Sequence, residues 1–438
     1  MKRYAWVMCV FFALSTSAGT ADWDEEKLIR EYAKKLAKER DSRERADAAH
    51  WLGGRANPEA VAALAKALSD SDASVRQAAA SALWETGKGA SAAKPDLQKT
   101  LADPDAAVVA RAAGALAAMG VSDTELAPGW RRALAGAKDD ATAFLAARGL
   151  IGIDPPEKLA PPILTWLAKK AAAAQPGRGR SDYDEQKSAK AAQEALADLL
   201  KENAAAAPLL PQLEKTVRAT PESGKYVLDA LGSVKKLPPG TLDFALSLTG
   251  SPDPDTRYAA ISLAGKMKSE RDVARWVPEG VRLLGDPEES VRMQAAWVLK
   301  DVKGLAHSAA PELARLVSSD RSMSVRARAA SAIEEIGDAS NPIPKADKVS
   351  VAAATKGALA PAMKDKDHDL AMAAVAAYNV LYRYARGCRV AGGCGRIGSR
   401  HPRAPEGAAV PAQPARASQE RGRDHPPADA ILRQAHRR

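Results

Sequence analysis

Residues 70–87 read DSDASVRQAAASALWETG, and this stretch sets the pattern that the rest of the chain repeats. Asp72 stands where the start of a helix needs a side-chain acceptor for its unpaired N–H groups. Gly87 stands where a left-handed cap would end the same helix. Between them, apolar side chains recur at helical spacing: Val75, Ala79, Ala82 and Leu83. The stretch therefore predicts one capped, amphipathic helix.

The residues just before it predict a partner helix. Pro58–Leu68 places Val61, Leu64 and Leu68 on one face. Its proline suits an opening position, because the first N–H of a helix has no partner within the helix. A single pair of such helices cannot bury its apolar face alone, so copies of the pair have to stack.

The pattern returns at a nearly constant period. Asp103–Gly120 repeats it 33 residues later, and Asp139–Gly152 is a decayed copy. Farther on, the arginines near the helix starts are spaced 35 and then 34 residues apart: Arg257, Arg292 and Arg326. A period of this length predicts an all-α fold, an α-solenoid of roughly ten antiparallel helix pairs.

The repeated unit resembles the HEAT repeat, in particular the short bacterial form known as the PBS-lyase HEAT-like repeat. The residues that carry the resemblance are Asp72, Val75, Arg76, Ala78, Ala79, Leu83 and Gly87, with their later counterparts. The second clear unit departs from the pattern, since Val109 stands where arginine is expected and Arg111 lies two places on. The resemblance implies a right-handed superhelix of helix pairs that serves mainly as a scaffold.

Composition and pattern divide the chain into segments. They are a signal peptide (1–21), an N-terminal helical cap (22–57), HEAT-like repeats (58–153), divergent helical pairs (154–237) with an insertion loop (175–184), further HEAT-like repeats (238–337), a C-terminal helical pair (338–385) and a disordered basic tail (386–438).

The first segment has the layout of a secretory signal peptide. Lys2 and Arg3 precede the apolar run Ala5–Leu14, and small residues follow up to cleavage positions at Ala18 or Ala21. This order of charged, apolar and small residues predicts removal on export, so we expect a periplasmic or secreted protein. The repeats themselves contain no cysteine, which suits an oxidising compartment. No stretch of the mature chain is long and apolar enough for a stable membrane span.

Net charge first suggests a nucleic-acid ligand, but its distribution disfavours one. The chain carries a formal charge of +10, yet residues 386–438 hold eleven arginines against four acidic residues. The repeats are close to neutral, whereas a nucleic-acid groove needs clustered cations. The tail lacks periodicity and apolar content, which predicts disorder. Two origins for it stay open: a genuine basic tail, or a shifted reading frame in a GC-rich gene.

Arginines that recur at the repeat period predict either an anion-binding row or an internal ladder of ion pairs. The arginines are Arg76, Arg257, Arg292 and Arg326, and the turn acids proposed as their partners are Asp72, Asp255 and Glu289. Acid and base recur together, and the planar guanidinium suits bidentate pairing with a carboxylate. We therefore favour the structural ladder.

Two other groups of residues have a functional and a structural interpretation. The tryptophans could form a binding stripe, but their differing repeat positions favour core packing in an alanine-rich array; they are Trp51, Trp84, Trp130, Trp166, Trp276 and Trp297. The insertion loop, with Arg178, Arg180 and Tyr183, is either a contact loop or a flexible connector.

The sequence offers no pattern for catalysis, and we expect no cofactor. Cys388, Cys394, His401 and His425 match no zinc-site spacing, so no metal is predicted. No nucleophile elbow, metal-binding helix motif or phosphate-binding loop is present in the sequence.

These observations predict a monomeric, non-catalytic exported scaffold that binds a protein or peptide partner on a concave surface. The expected contact positions lie along the second helices, at Arg111, Arg292 and Arg328. The alternatives are a bilin lyase-like enzyme and a basic binder of nucleic acid or another anionic polymer.

Overall fold

The computed structural model describes residues 21–174, 180–201, 206–338 and 345–390. The chain divides into two units, Met1–Gly387 and Cys388–Arg438, and the packing described below belongs to the first. The described residues are helical and contain no β-strand.

The helices follow one another in pairs. The N-terminal ones are Ala21–Lys38 (α1), Ser42–Leu52 (α2), Pro58–Ala67 (α3), Ala73–Thr86 (α4), Lys94–Thr100 (α5), Ala106–Ala118 (α6), Asp123–Gly136 (α7) and Asp140–Gly149 (α8). The middle ones are Pro156–Ala173 (α9), Arg180–Lys201 (α10), Ala206–Ala219 (α11) and Gly224–Gly232 (α12). The C-terminal ones are Thr241–Ser247 (α13), Pro254–Ala264 (α14), Glu270–Leu283 (α15), Glu289–Asp301 (α16), Ala310–Ser319 (α17), Met323–Gly337 (α18), Lys345–Ala362 (α19) and His368–Val390 (α20). Short 3-10 helices occupy Gly87–Ala93, Pro221–Ser223 and Lys303–Ala309.

Stacking follows the pairs, and this confirms the predicted all-α solenoid. Even-numbered helices, which we call second helices, pack on one another in the runs α2–α4–α6–α8 and α10–α12–α14–α16–α18. The seam between them consists largely of alanine with interspersed leucine and valine, and these side chains are buried. Small side chains let the helix backbones approach closely, so each pair covers the apolar face of the next.

Side-chain caps explain why most second helices begin where they do. Asp72 Oδ1 accepts a hydrogen bond from the Ser74 N–H at 2.8 Å, and Asp253 Oδ2 accepts one from the Thr256 N–H at 2.7 Å. Each such acceptor satisfies an N–H that the helix itself leaves unpaired. Glu288, at the equivalent position before α16, makes no capping bond.

The closing glycines serve two different purposes. Gly87 follows the last residue of α4 and has a φ of 58°, which lies in the left-handed region that favours glycine. Gly265 instead has ordinary helical angles, and a Cβ atom there would lie 2.7 Å from Val298 Cγ1 of the next second helix. This glycine is needed for close helix packing rather than for a turn.

Two predicted boundaries differ from the bounds of the helices. The insertion loop was placed at 175–184, but helix α10 begins at Arg180, inside that segment. The last pair was expected to end at 385, whereas α20 continues to Val390 and includes the first residues assigned to the tail. Residues 391–438 and residues 1–20 lie outside the described part of the chain.

Candidate functional site

A row of arginines near the starts of second helices pairs with aspartates in the turns of the following helix pairs. We call it the Arg–Asp ladder; its rungs are Arg45–Asp70, Arg76–Asp103, Arg257–Asp286, Arg292–Asp320 and Arg326–Asp365. In the rung between α16 and the next turn, Arg292 Nε donates to Asp320 Oδ2 at 2.8 Å and Nη2 donates to Oδ1 at 3.1 Å. The two parallel bonds form the bidentate geometry that a guanidinium favours.

Four of the five rungs also fix the turns on both of their sides, whereas Arg326 Nε donates to the Val317 carbonyl oxygen in α17 instead. Arg292 Nη1 donates to the carbonyl oxygens of Asp286 at 2.9 Å and Pro287 at 3.1 Å, which lie in its own turn. Asp320 Oδ1 accepts a further bond from the Ser322 N–H at 2.8 Å in the next turn. One ion pair thus joins two consecutive turns and sets the register between neighbouring repeats.

The ladder uses different acids from those predicted. Asp72 caps α4, as described above. Asp255 lies 3.1 Å from Lys225 Nζ, and Glu289 Oε1 accepts a hydrogen bond from Ser322 Oγ at 2.6 Å. None of these three forms a rung, because each begins or precedes its own helix and cannot reach the arginine of the previous repeat. The rung acids stand two residues before the capping position.

The ladder is interrupted where the sequence departs from the repeat. Val109 replaces the arginine in α6 and is buried. Arg111 is half-buried, and its Nη1 donates to the carbonyl oxygen of Ala107 at 3.0 Å within the same helix. The described residues therefore hold rungs in the N-terminal and C-terminal repeats but none from α6 to α13.

Three of the ladder carboxylates have a pKa below the ordinary value. Burial acts to raise the pKa of Asp320, but the hydrogen bonds from Arg292 and from the Ser322 N–H outweigh it and hold that pKa below its ordinary value of 3.8. The same balance lowers the pKa of Asp70 and of Asp286. Because these pKa values are depressed in the folded state, the ladder's stabilisation is fully present above the ordinary carboxyl pKa. It is lost as the pH falls through the lower folded values.

We therefore expect the melting temperature to fall steeply as the pH drops from about 5 to about 2. Asp320→Asn, which has no titratable carboxyl at this rung, should show a shallower decline than the unmodified chain. Circular dichroism melts across this pH range measure the effect. Parallel pH profiles for the two proteins would contradict the assignment of the decline to this rung.

An exposed aromatic patch lies on the same second helices in the C-terminal repeats. Trp297 on α16 is 48% exposed, and Tyr258 on α14 is 40% exposed. The guanidinium carbon of Arg328 on α18 lies 4.7 Å from the centroid of a Trp297 ring, a cation–π geometry. We call Tyr258, Trp297 and Arg328 the aromatic patch. Its residues come from three consecutive, contacting second helices.

Polar groups border the patch on α16 and α18. Lys300 Nζ donates to Ser331 Oγ at 2.8 Å. Burial raises the pKa of the Glu334 carboxyl, the neighbouring Glu335 carboxylate acts in the same direction, and Lys300 opposes them. Lys300 therefore lies beside the C-terminal half of α18, close to the Glu334 carboxyl.

The two tryptophans of the helix pair α15 and α16 differ in burial, although core packing was predicted for both. Trp276 on α15 is fully buried, as expected for core packing, and its Nε1 donates to the Met267 carbonyl at 3.2 Å. Trp297 on α16 contradicts the expectation, because its side chain is half exposed. Trp130 is buried, and the other predicted core tryptophans are partly buried: Trp51, Trp84 and Trp166.

The predicted contact residues are not brought together into one site. Arg328 belongs to the aromatic patch, whereas Arg292 is nearly buried in the ladder and is no exposed contact residue. Tyr183 is exposed on α10, in the middle of the array. Arg178 lies outside the described residues, and Arg180 is described only as the first residue of α10.

The sequence analysis missed one rung of the Arg–Asp ladder and one residue of the aromatic patch. The rung between Arg45 and Asp70 belongs to the predicted cap, where the repeat pattern was not recognised. Tyr258 was overlooked because tyrosine suits a core as well as a surface. Among the described residues, no three His, Cys, Asp or Glu side chains cluster in a way that could hold a metal ion. None of the described helices combines the length and the apolar run that a bilayer crossing requires.

Residues 30–118 and 242–334 match a family model described as HEAT repeats. No curated protein matches the chain. Among solved structures, the chain is similar to Kap95p, in a structure that concerns its binding to RanGDP, at 14% identity and a TM-score of 0.50; the alignment covers 84% of this chain and 53% of that one. It is also similar to an engineered protein, at 20% identity and a TM-score of 0.45, covering 81% of this chain and 99% of that one.

A structure of Kap121p bound to RanGTP is similar at 14% identity and a TM-score of 0.48, over 83% of this chain and 42% of that one. The chain thus spans about half the length, or less, of the Kap95p and Kap121p chains. Likeness at these identities concerns the fold alone, a solenoid of stacked helix pairs.

Proposed function

We propose that the chain is a non-catalytic scaffold that binds a protein or peptide partner. The premise is that residues 30–118 and 242–334 are HEAT repeats within a helical solenoid. Its contact surface is the layer of second helices in the C-terminal repeats. We expect this surface to be concave, and stacked helix pairs are suited to binding extended partners because they offer a continuous surface.

The aromatic patch is the observation that carries this proposal. Large apolar side chains rarely gain stability from lying in water, and clustered exposed aromatic residues with an arginine are typical of interface hot spots. Trp297 occupies the position that Ser81 and Ser331 occupy in other repeats. A tryptophan at this position is not required for the fold, which favours a role in contact with a partner.

One of the similar solved structures supports the kind of partner that we propose. The structure of Kap95p, which shares the fold, concerns its binding to another protein, RanGDP. That property belongs to Kap95p, and for this chain it supports only the general expectation that stacked helix pairs engage proteins.

A capture experiment with matched variants tests the proposal. The full mature chain is immobilised beside the Tyr258→Ala/Trp297→Ala double variant and a Leu305→Ala control, and bound envelope proteins are quantified by mass spectrometry. Leu305 is also an exposed large apolar residue, but it lies in a 3-10 helix outside the second-helix layer. We expect the double variant to lose the specifically captured proteins, whereas Leu305→Ala retains them. Identical captured sets for all three proteins would contradict the proposal.

We also propose that the scaffold acts in the periplasm or outside the cell, because Lys2, Arg3 and the apolar run Ala5–Leu14 have the order of a cleavable signal peptide. Expression of the full gene should yield a mature protein in the periplasmic or extracellular fraction. Its N-terminal sequence should begin after Ala18 or Ala21. Recovery from the cytoplasm with residues 1–21 intact would contradict this.

A further inference from the structure

Arg328 differs from the other arginines of the second helices in the C-terminal repeats. Arg257, Arg292 and Arg326 pair with aspartates, whereas Arg328 makes no carboxylate ion pair within the described residues. Its guanidinium lies over Trp297 instead. A guanidinium stacked on an aromatic ring keeps its N–H edges available, and these edges match a carboxylate in bidentate geometry.

Trp297 supplies the second element of a binding subsite. Its ring is half exposed, so it offers an apolar face directly beside the cation. The cation–π contact holds the guanidinium in one orientation before any ligand arrives. A preorganised group loses less conformational entropy on binding than a free one does.

The charges on α18 limit which ligand fits. Arg328 stands near the start of this helix, and Glu334, Glu335 and Asp338 stand at or just beyond its end, with Glu334 about 9 Å along the axis from Arg328. The Glu334 carboxyl disfavours a second acidic group toward this end of α18, whereas one acidic group placed at Arg328 lies away from it. An apolar group beside that carboxylate would cover Trp297.

We infer that Trp297 and Arg328 form a subsite for a short peptide segment in which an acidic side chain stands next to a large apolar one. This inference rests on the proposed scaffold function and specifies the chemistry of its partner. The N-terminal repeats lack this arrangement: Arg111 on α6 corresponds to Arg328, and Ser81 on the preceding second helix, α4, occupies the position of Trp297.

Panning of a random peptide display library on the full mature chain tests the inference. We expect the selected peptides to share Asp or Glu beside Leu, Phe or Trp. A synthetic peptide with the selected sequence is then compared, by calorimetry, with the same peptide carrying Gln or Asn in place of the acid. We expect the amide version to bind about tenfold more weakly or worse, as loss of a charge-assisted hydrogen bond predicts.

Variants of the protein locate the effect. Arg328→Gln and Trp297→Ala should each weaken binding of the acidic peptide by a similar factor. The Arg328→Gln variant should bind the acidic and the amide peptides with equal affinity. Arg315→Gln is the matched control, since Arg315 is an exposed arginine on α17 that pairs with Glu312. It should bind as the unmodified chain does. Circular dichroism melts show whether each variant remains folded.

The outcomes separate this inference from the proposed function. Selected peptides without an acidic residue, or an Arg328→Gln variant that still prefers the acidic peptide, would overturn the subsite and leave the scaffold function standing. Absence of any selected peptide overturns the subsite as well. The scaffold function fails only if, in addition, the capture experiment finds no protein that depends on Tyr258 and Trp297.

Discussion

Asp320→Ala is expected to reduce the free energy of unfolding by about 3–5 kcal/mol, because it leaves a buried arginine without its carboxylate. The side chains of Arg292 and Asp320 are only 7% and 5% exposed. The substitution also removes the acceptor for the Ser322 N–H at the start of α18. Urea unfolding followed by circular dichroism measures the loss.

Glu312→Ala is the matched control. Glu312 pairs with Arg315 three residues away on the surface of α17. Exposed pairs of this kind contribute only about 0.3–0.5 kcal/mol. Asp320→Asn should fall between the two, since it keeps an acceptor for the Ser322 N–H but lacks the charge. An Asp320→Ala variant as stable as Glu312→Ala would show that the ladder does not hold the repeats in register.

Arg292→Met combined with Asp320→Leu should recover much of the lost stability. Replacing both partners of a buried ion pair with apolar residues removes the uncompensated charge. If the double variant is as unstable as Asp320→Ala, the main contribution comes from the backbone hydrogen bonds of the rung rather than from its charges. Those bonds join Arg292 to the carbonyl oxygens of Asp286 and Pro287.

Trp276→Ala should destabilise the chain by about 3–5 kcal/mol, because a fully buried indole leaves a large cavity when it is truncated. Its Nε1 hydrogen bond to the Met267 carbonyl is lost as well. Because each repeat contacts only its neighbours, we expect the C-terminal repeats to unfold first. Thermal and urea denaturation should therefore show a transition at a lower temperature and at a lower urea concentration than in the unmodified chain.

Trp297→Ala is the matched comparison, since it removes the same side chain from the other helix of the same pair. Trp297 is half exposed, so its loss should cost less than about 1 kcal/mol. Equal destabilisation by the two variants would contradict the different burial of the two indoles. It would also remove the reason for assigning Trp297 to partner contact.

The sequence alone determined the fold to a large extent. The stretch Asp70–Gly87 contains a cap, an apolar stripe and a closing glycine, and these are local features that depend on hydrogen bonds within a few residues. The period at which they recur then required neighbouring pairs to stack, because no pair can bury its own apolar face. Boundaries without such local signals, as at Arg180 and Val390, were placed less well.

Only the tertiary structure decided which side chains meet across repeats. Arg292 has several acids within a few residues in sequence, yet it reaches Asp320, 28 residues away, because the next turn lies directly beside it. In the same way, Trp276 and Trp297 are the same residue type in one helix pair. The first faces the seam between stacked helices and the second faces solvent, since rotation of each helix about its axis is set by packing against its neighbours.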